Sequence, residues 1–189
     1  EAGSNIPYVG LTVPPGTMLY DTGAQVPLIG LPQLKLLGEH LRSKLGVTYR
    51  WTNKNESKTG GVGGHAKIIG EVEIPIGLGG VSGIKTMKVC EEDIPPLIGT
   101  SFAKTLGSVC SYPDQQIEWR STGRTSEMIE LPSEHIVCRV DECDDDVWVD
   151  PRKQLTTQYY GEKILGKTYI VDDENDFRPT TPSVAVLAQ

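Results

Sequence analysis

The sequence predicts a mainly β body of about 120 residues with one or two helices, a usual size for one domain. Three observations lead there. Gly (21) and Pro (13) are frequent in the 189 residues, which favours short strands and turns over a helical bundle. Only two Phe and three Trp are present, few for a bundle core. Charge is unevenly spread: residues 1–120 carry 11 acidic and 11 basic side chains, and residues 121–189 carry 14 and 7. The whole formal charge of -7 therefore lies beyond residue 120. The expected organisation is a neutral domain, 1–120, and an acidic C-terminal extension or linker, 121–189.

The elements follow in order. Tyr8–Val13 and Met18–Tyr20 have strand composition around the turn Pro14-Pro15-Gly16-Thr17, predicting a hairpin whose second strand runs into Asp21-Thr22-Gly23-Ala24. Val26–Ile29 is a further apolar run. Leu34, Leu37, Leu41 and Leu45 share one helical face after Pro32, and Gly46 is a stop. Val47–Trp51 and Ala66–Ile76 read as strands, with glycine clusters at 60–64 and 77–83. Thr86–Val89 is strand-like. Ile94–Gly99 leads into a short helix with Thr100 or Ser101 as N-cap and Gly107 as stop. Ser108–Cys110 and Ile117–Trp119 are expected to pair across Pro113-Asp114. The extension holds short apolar pieces between acidic runs, too few for a second core. It is expected to pack locally on the body and fray toward Gln189.

Composition also excludes classes of function. No run approaches the ~20 apolar residues of a membrane span, so no membrane partner is expected. No basic block supports nucleic-acid binding. The first residue is Glu1 and no positively flanked apolar leader is visible, so a processed product or excised piece without a signal peptide is expected. Cys90, Cys110, Cys138 and Cys143 are widely spaced, which predicts reduced thiols in an intracellular compartment, taken as cytoplasmic.

The first residues with chemistry are Asp21-Thr22-Gly23. An Asp at the end of an apolar strand, followed by Thr and Gly, presents a carboxylate on a tight turn. Two such carboxylates held together share one proton. One then acts as base on a water while the other donates to a substrate carbonyl.

Leu19-Tyr20-Asp21-Thr22-Gly23-Ala24 resembles the catalytic loop of the retropepsin-like aspartic proteases of retroviruses and retrotransposons. Gly60-Gly61-Val62-Gly63-Gly64-His65-Ala66-Lys67-Ile68 resembles their glycine-rich flap. Pro96-Leu97-Ile98-Gly99, with the helix after it, resembles the apolar-apolar-Gly motif near their C-terminus. The three come in the family's order and span about residues 6–120. The echo of Pro27-Leu28-Ile29-Gly30 in Pro96–Gly99 fits the family's internal pseudo-repeat.

The resemblance implies an all-β fold: a closed β-barrel of acid-protease type with one or two short helices, plus the acidic extension. It implies an aspartic endopeptidase of polyproteins that needs no cofactor and no metal. Asp21, Thr22 and Gly23 would be catalytic. Ala24, Gly60, Gly61, Val62, Gly63, Leu97 and Ile98 would bind substrate, with Ala24, Val62 and Leu97 lining apolar subsites. The peptide would lie extended between flap and floor. One D-T-G cannot supply two carboxylates, so the expected partner is a second copy, in a two-fold homodimer. Two departures stand out. Where many viral members carry an acidic residue and an Arg, this chain has Gln25 and Thr100. Both halves of that ion pair are gone together, so stability there must come from elsewhere. Two alternatives share the fold. One is a silent dimerisation or peptide-binding module, which the intact D-T-G disfavours. The other is the protease domain of a DNA-damage-inducible ubiquitin-shuttle protein.

Other motifs carry less. Gly161–Thr168 fits a phosphate-loop pattern but lacks a following helix. His135, Cys138 and Cys143 are three ligands without zinc spacing, which reads as a strand with an inward thiol. Asp141–Asp146 lacks the glycine of a calcium loop. Asn55-Glu56-Ser57 is a sequon without a secretory context. His40 and His65 are expected to be exposed.

Overall fold

The computed structural model describes residues 9–24, 27–53 and 66–153. Among these the chain is mostly strand, with two helices. A turn at Pro14 precedes the first strand. The Pro14 carbonyl accepts the Thr17 N–H (3.2 Å) and the Thr17 hydroxyl (2.7 Å), turning the chain into β1, Thr17–Tyr20. After β2 (Leu28–Gly30) comes α1, Leu31–Leu45, with Pro32 in its first turn. Leu34, Leu37 and Leu41 are buried as the periodicity predicts. Gly46, at φ 67°, closes the helix by donating to the Arg42 carbonyl. Strand β3 (Arg50–Asn53) leads on to β4, Ile68–Cys90.

β4 is a continuous extended run of 23 residues. Drawn straight it would reach about 75 Å, too long for this chain. Gly79 (φ 57°) and Gly80 (φ 95°) take the successive left-handed conformations of a two-residue hairpin turn. Ile74 and Ile76 before them and Met87 and Val89 after them meet in one core cluster, so the run doubles back there. This is the second glycine-rich turn of the sequence. The chain continues through β5 (Leu97–Ile98), α2 (Thr100–Leu106), β6 (Ser108–Ser111), β7 (Gln116–Trp119) and β8 (Arg124–Glu127). It ends in β9 (Ile129–Glu130), β10 (Ile136–Arg139), β11 (Asp141–Cys143) and a 3-10 turn at Asp144–Asp146.

The strands form three sheets. The first has the order β5-β1-β10-β9, the second β11-β4-β2 with β3 also on β4, and the third β6-β7-β8. The expected pairing of β6 with β7 is present. The expected closed barrel is not: among the described residues the first sheet ends at β5 and β9, two-residue strands that no further strand joins. The predicted N-terminal hairpin is also replaced. The antiparallel partner of β1 is β10, in the register Thr17↔Arg139, Met18↔Cys138, Leu19↔Val137. Residues 11–13 are not in a strand, and the Gly10 N–H goes instead to the Asp93 carbonyl (2.8 Å). Pro14 and Pro15 cannot donate to a ladder, whereas β10 brings a full set of donors and the buried pair Val137 and Cys138.

The composition change at residue 120 therefore coincides with no break in the sheets. β8, β10 and β11 pair with β7, β1 and β4. Two buried ionic clusters fix this part of the chain. Asp141 is fully buried and accepts from His40 Nε2 (2.6 Å) and from Arg139 Nε (2.8 Å) and Nη2, with Lys44 Nζ at 3.3 Å. His40 is thus not the exposed residue expected, because α1 turns it onto a carboxylate that lies 101 residues away in sequence. Burial alone would raise the Asp141 carboxyl, but the hydrogen bonds from Arg139 and His40 hold it below its ordinary value. In the second cluster Arg152 binds Asp150 through two nitrogens (3.0 and 2.9 Å) and approaches Glu73 (3.7 Å), which also holds Arg50 (3.1 Å). Trp148 completes the attachment, its indole N–H donating to the Gly83 carbonyl (3.0 Å). The four cysteines are free thiols; Cys138 points into the core as expected. No helix among the described residues is long and apolar enough to cross a membrane.

Candidate active site

Asp21 follows directly on β1, whose two neighbours fix where the loop starts. β10 holds one edge. On the other, β1 runs parallel to β5, with Leu19 opposite Leu97 and Tyr20 opposite Ile98. The parallel ladder continues past the strand ends. Leu19 N–H donates to the Pro96 carbonyl (2.8 Å) and Asp21 N–H to the Ile98 carbonyl (3.1 Å). Tyr20 is pinned from the side: its hydroxyl shares a hydrogen bond with Ser108 Oγ (2.7 Å) and its ring lies 6.3 Å from that of Trp119. Burial pushes the Tyr20 phenol up to about 12, so it stays neutral and hydrogen-bonding at ordinary pH.

The loop itself is a tight turn. The Gly23 N–H donates to Asp21 Oδ1 (2.8 Å) and the Ala24 N–H to the Asp21 carbonyl (3.2 Å). A side chain on Gly23 would press within 3.1 Å of that Oδ1, so glycine keeps the turn closed. Thr22 and Gly23 are exposed and Asp21 partly so. The far end of the loop is tied to the start of α2. The Thr100 N–H donates to the Ala24 carbonyl (3.0 Å), and the Thr100 hydroxyl donates to the Thr22 carbonyl. Gly99 makes this approach possible, because a Cβ there would sit 2.7 Å from the Ala24 oxygen.

Of the residues expected at the site, Asp21, Thr22, Gly23, Ala24, Leu97 and Ile98 thus come together, although the two segments are far apart in sequence. Gly60, Gly61, Val62 and Gly63 lie outside the described residues, as do Gln25, His65 and the segment 161–168. Leu97 is buried in a cluster with Val13, Leu19 and Val137, against which Ala24 packs. Ile98 has no exposed surface and serves the loop through its carbonyl oxygen. Thr100 or Ser101 was expected as the cap of this helix. The cap position is instead Gly99, and no side chain caps α2. The strand reading missed Tyr20, Ser108 and β10 as supports of the loop, since their contacts join residues 88 or more positions apart or were assigned to a different hairpin.

Chemically, each chain offers one carboxylate on an exposed turn held by backbone hydrogen bonds. It can take up or release a proton, but it cannot polarise a carbonyl and deprotonate a water at once. Among the described residues no group of three or more His, Cys, Asp or Glu side chains is placed to hold a metal ion. No family model matches this chain, and no curated protein matches its sequence.

Proposed function

We propose that the chain is an aspartic endopeptidase, half of an active site that a second copy completes. One observation carries this reading. The Asp21–Ala24 turn and the Pro96–Thr100 segment, two motifs picked out separately in the sequence, are hydrogen-bonded neighbours across 78 residues. They leave the Asp21 carboxylate on an exposed, fixed turn.

In the dimer two Asp21 carboxylates face each other across the two-fold axis and share one proton. The ionised one takes a proton from a water, whose oxygen bonds to the peptide carbonyl carbon. The protonated one gives its proton to the carbonyl oxygen. Collapse of the resulting diol passes a proton to the amide nitrogen as the C–N bond breaks. The substrate is an extended polypeptide, such as a polyprotein segment, bound as an added strand.

The test is mass spectrometry of polypeptides incubated with the purified protein and with Asp21→Asn. The wild type should yield defined fragments, and the variant should yield none while keeping the same fold and sedimentation. Equal cleavage by both proteins would sink the reading.

A further inference from the structure

We propose that Thr100 is a positioning residue of the catalytic turn, doing with one hydroxyl what a charged pair would do elsewhere. This rests on the endopeptidase reading above. Three observations support it. Thr100 is the first residue of α2, one position past the Gly99 cap, so its hydroxyl is not engaged in capping the helix. Its hydroxyl donates instead to the carbonyl of Thr22, the residue next to the catalytic carboxylate. Its backbone N–H donates to the Ala24 carbonyl (3.0 Å), so one residue grips the turn at two points. Together with the Asp21 N–H bond to the Ile98 carbonyl (3.1 Å), this brackets the turn from both ends.

The sequence explains why this link is needed. By the resemblance to the retropepsin-like proteases, the acidic residue and Arg that many viral members carry correspond here to Gln25 and Thr100, so no Arg at position 100 can brace the turn. A neutral hydroxyl on a carbonyl braces it without burying a charge. Fixing the Thr22 carbonyl fixes the peptide plane between Thr22 and Gly23. The N–H of that plane donates to Asp21 Oδ1 (2.8 Å). The chain of contacts therefore runs from Thr100 through the Thr22–Gly23 peptide to the carboxylate oxygen. Thr100 aims Asp21 without touching substrate.

The experiment compares Thr100→Val and Thr100→Ala, which lack the hydroxyl, with Thr100→Ser, which keeps it. We expect Thr100→Ser to stay within about twofold of wild type. The other two should lose about ten- to hundredfold in kcat with little change in KM, as for small misplacements of a reacting group. Hydrogen exchange at the Gly23 amide should be faster in Val and Ala than in Ser, whether or not any polypeptide is cleaved. Wild-type kcat in Thr100→Val overturns the proposal. So does a Ser variant as impaired as Ala, unchanged Gly23 exchange, or loss of cooperative melting in both Val and Ala, which would make Thr100 a residue of global stability. An inactive wild type with the expected exchange pattern would instead remove the endopeptidase reading and leave the brace standing.

Discussion

Replacing Asp141 by Asn tests whether the acidic region is built into the domain. The substitution keeps shape and removes charge, so it opens no cavity. Asp141 is fully buried and faces His40, Lys44 and Arg139. Breaking a buried ion pair by removing one partner costs about 3–5 kcal/mol. Here the surviving partners are 26%, 33% and 31% exposed and can turn partly to water, which lowers the figure. A loss of about 2–3 kcal/mol is expected. For a domain of this size that is a fall of about 4–12 °C in Tm. Urea unfolding at pH 7 and thermal melts give both numbers.

The pH dependence adds a second check. The Asp141 carboxyl lies below its ordinary value of 3.8, so it binds its proton less readily in the folded chain than in the unfolded one. Its contribution is then complete above that value and is lost as the pH falls through the lower folded-state value. The stability gap between wild type and Asp141→Asn should therefore be full at pH 7 and shrink as the pH falls below 3.8. A variant that melts with the wild type at pH 7 would refute the buried cluster as a fastening. A gap that stays constant into acid would refute its electrostatic origin.

Two further outcomes follow from the same geometry. A chain ended at residue 120 loses β8, β9, β10 and β11 and with them Val137, Cys138, Val140 and Trp148 from the interior, so it should show no cooperative melt and a low amide-exchange protection in β1. A sharp, wild-type-like transition in that fragment would show that the body is self-sufficient. Gly99→Ala puts a methyl 2.7 Å from the Ala24 carbonyl oxygen, a backbone atom that cannot step aside without moving the turn. It should cost about 1–3 kcal/mol in denaturation and most of the peptide cleavage; wild-type turnover would show that the turn tolerates the shift.

What could be read from the sequence divides by the range of the contact that decides it. Helix α1 was legible because Leu34, Leu37, Leu41 and the Gly46 stop are local signals. The β6–β7 hairpin was legible for the same reason. The turn at Asp21 was legible as a motif, and so was the Pro96–Gly99 segment. The partner of β1 was not, because Tyr8–Val13 and Ile136–Arg139 have similar strand composition and only packing chooses between them. The roles of Thr100 and His40 were equally hidden. A hydroxyl at the start of a helix reads as a cap, and a His off the Leu34-Leu37-Leu41 stripe reads as solvent-facing. Each acquires its partner only when a distant strand arrives.

The excess of acid beyond residue 120 also changes meaning once the strands are in place. Asp141 and Asp150 are buried and each is satisfied by cations, and Asp144 meets Arg124 at the surface. These carboxylates act as fasteners, and what they fasten matters. Asp141 anchors the end of β10 to α1, and β10 is the strand that lies along β1 up to Leu19, two residues before Asp21. The Asp21 turn is therefore held on one side by the Pro96–Thr100 segment of the neutral half, and its strand on the other by the acidic half. A weakened Asp141 cluster should loosen β10 first and the aim of Asp21 next, so cleavage should decline at denaturant concentrations below those that unfold the chain. Activity and global unfolding that fall together at every urea concentration would mean that the two halves share one cooperative transition, with no separate route from the cluster to the turn.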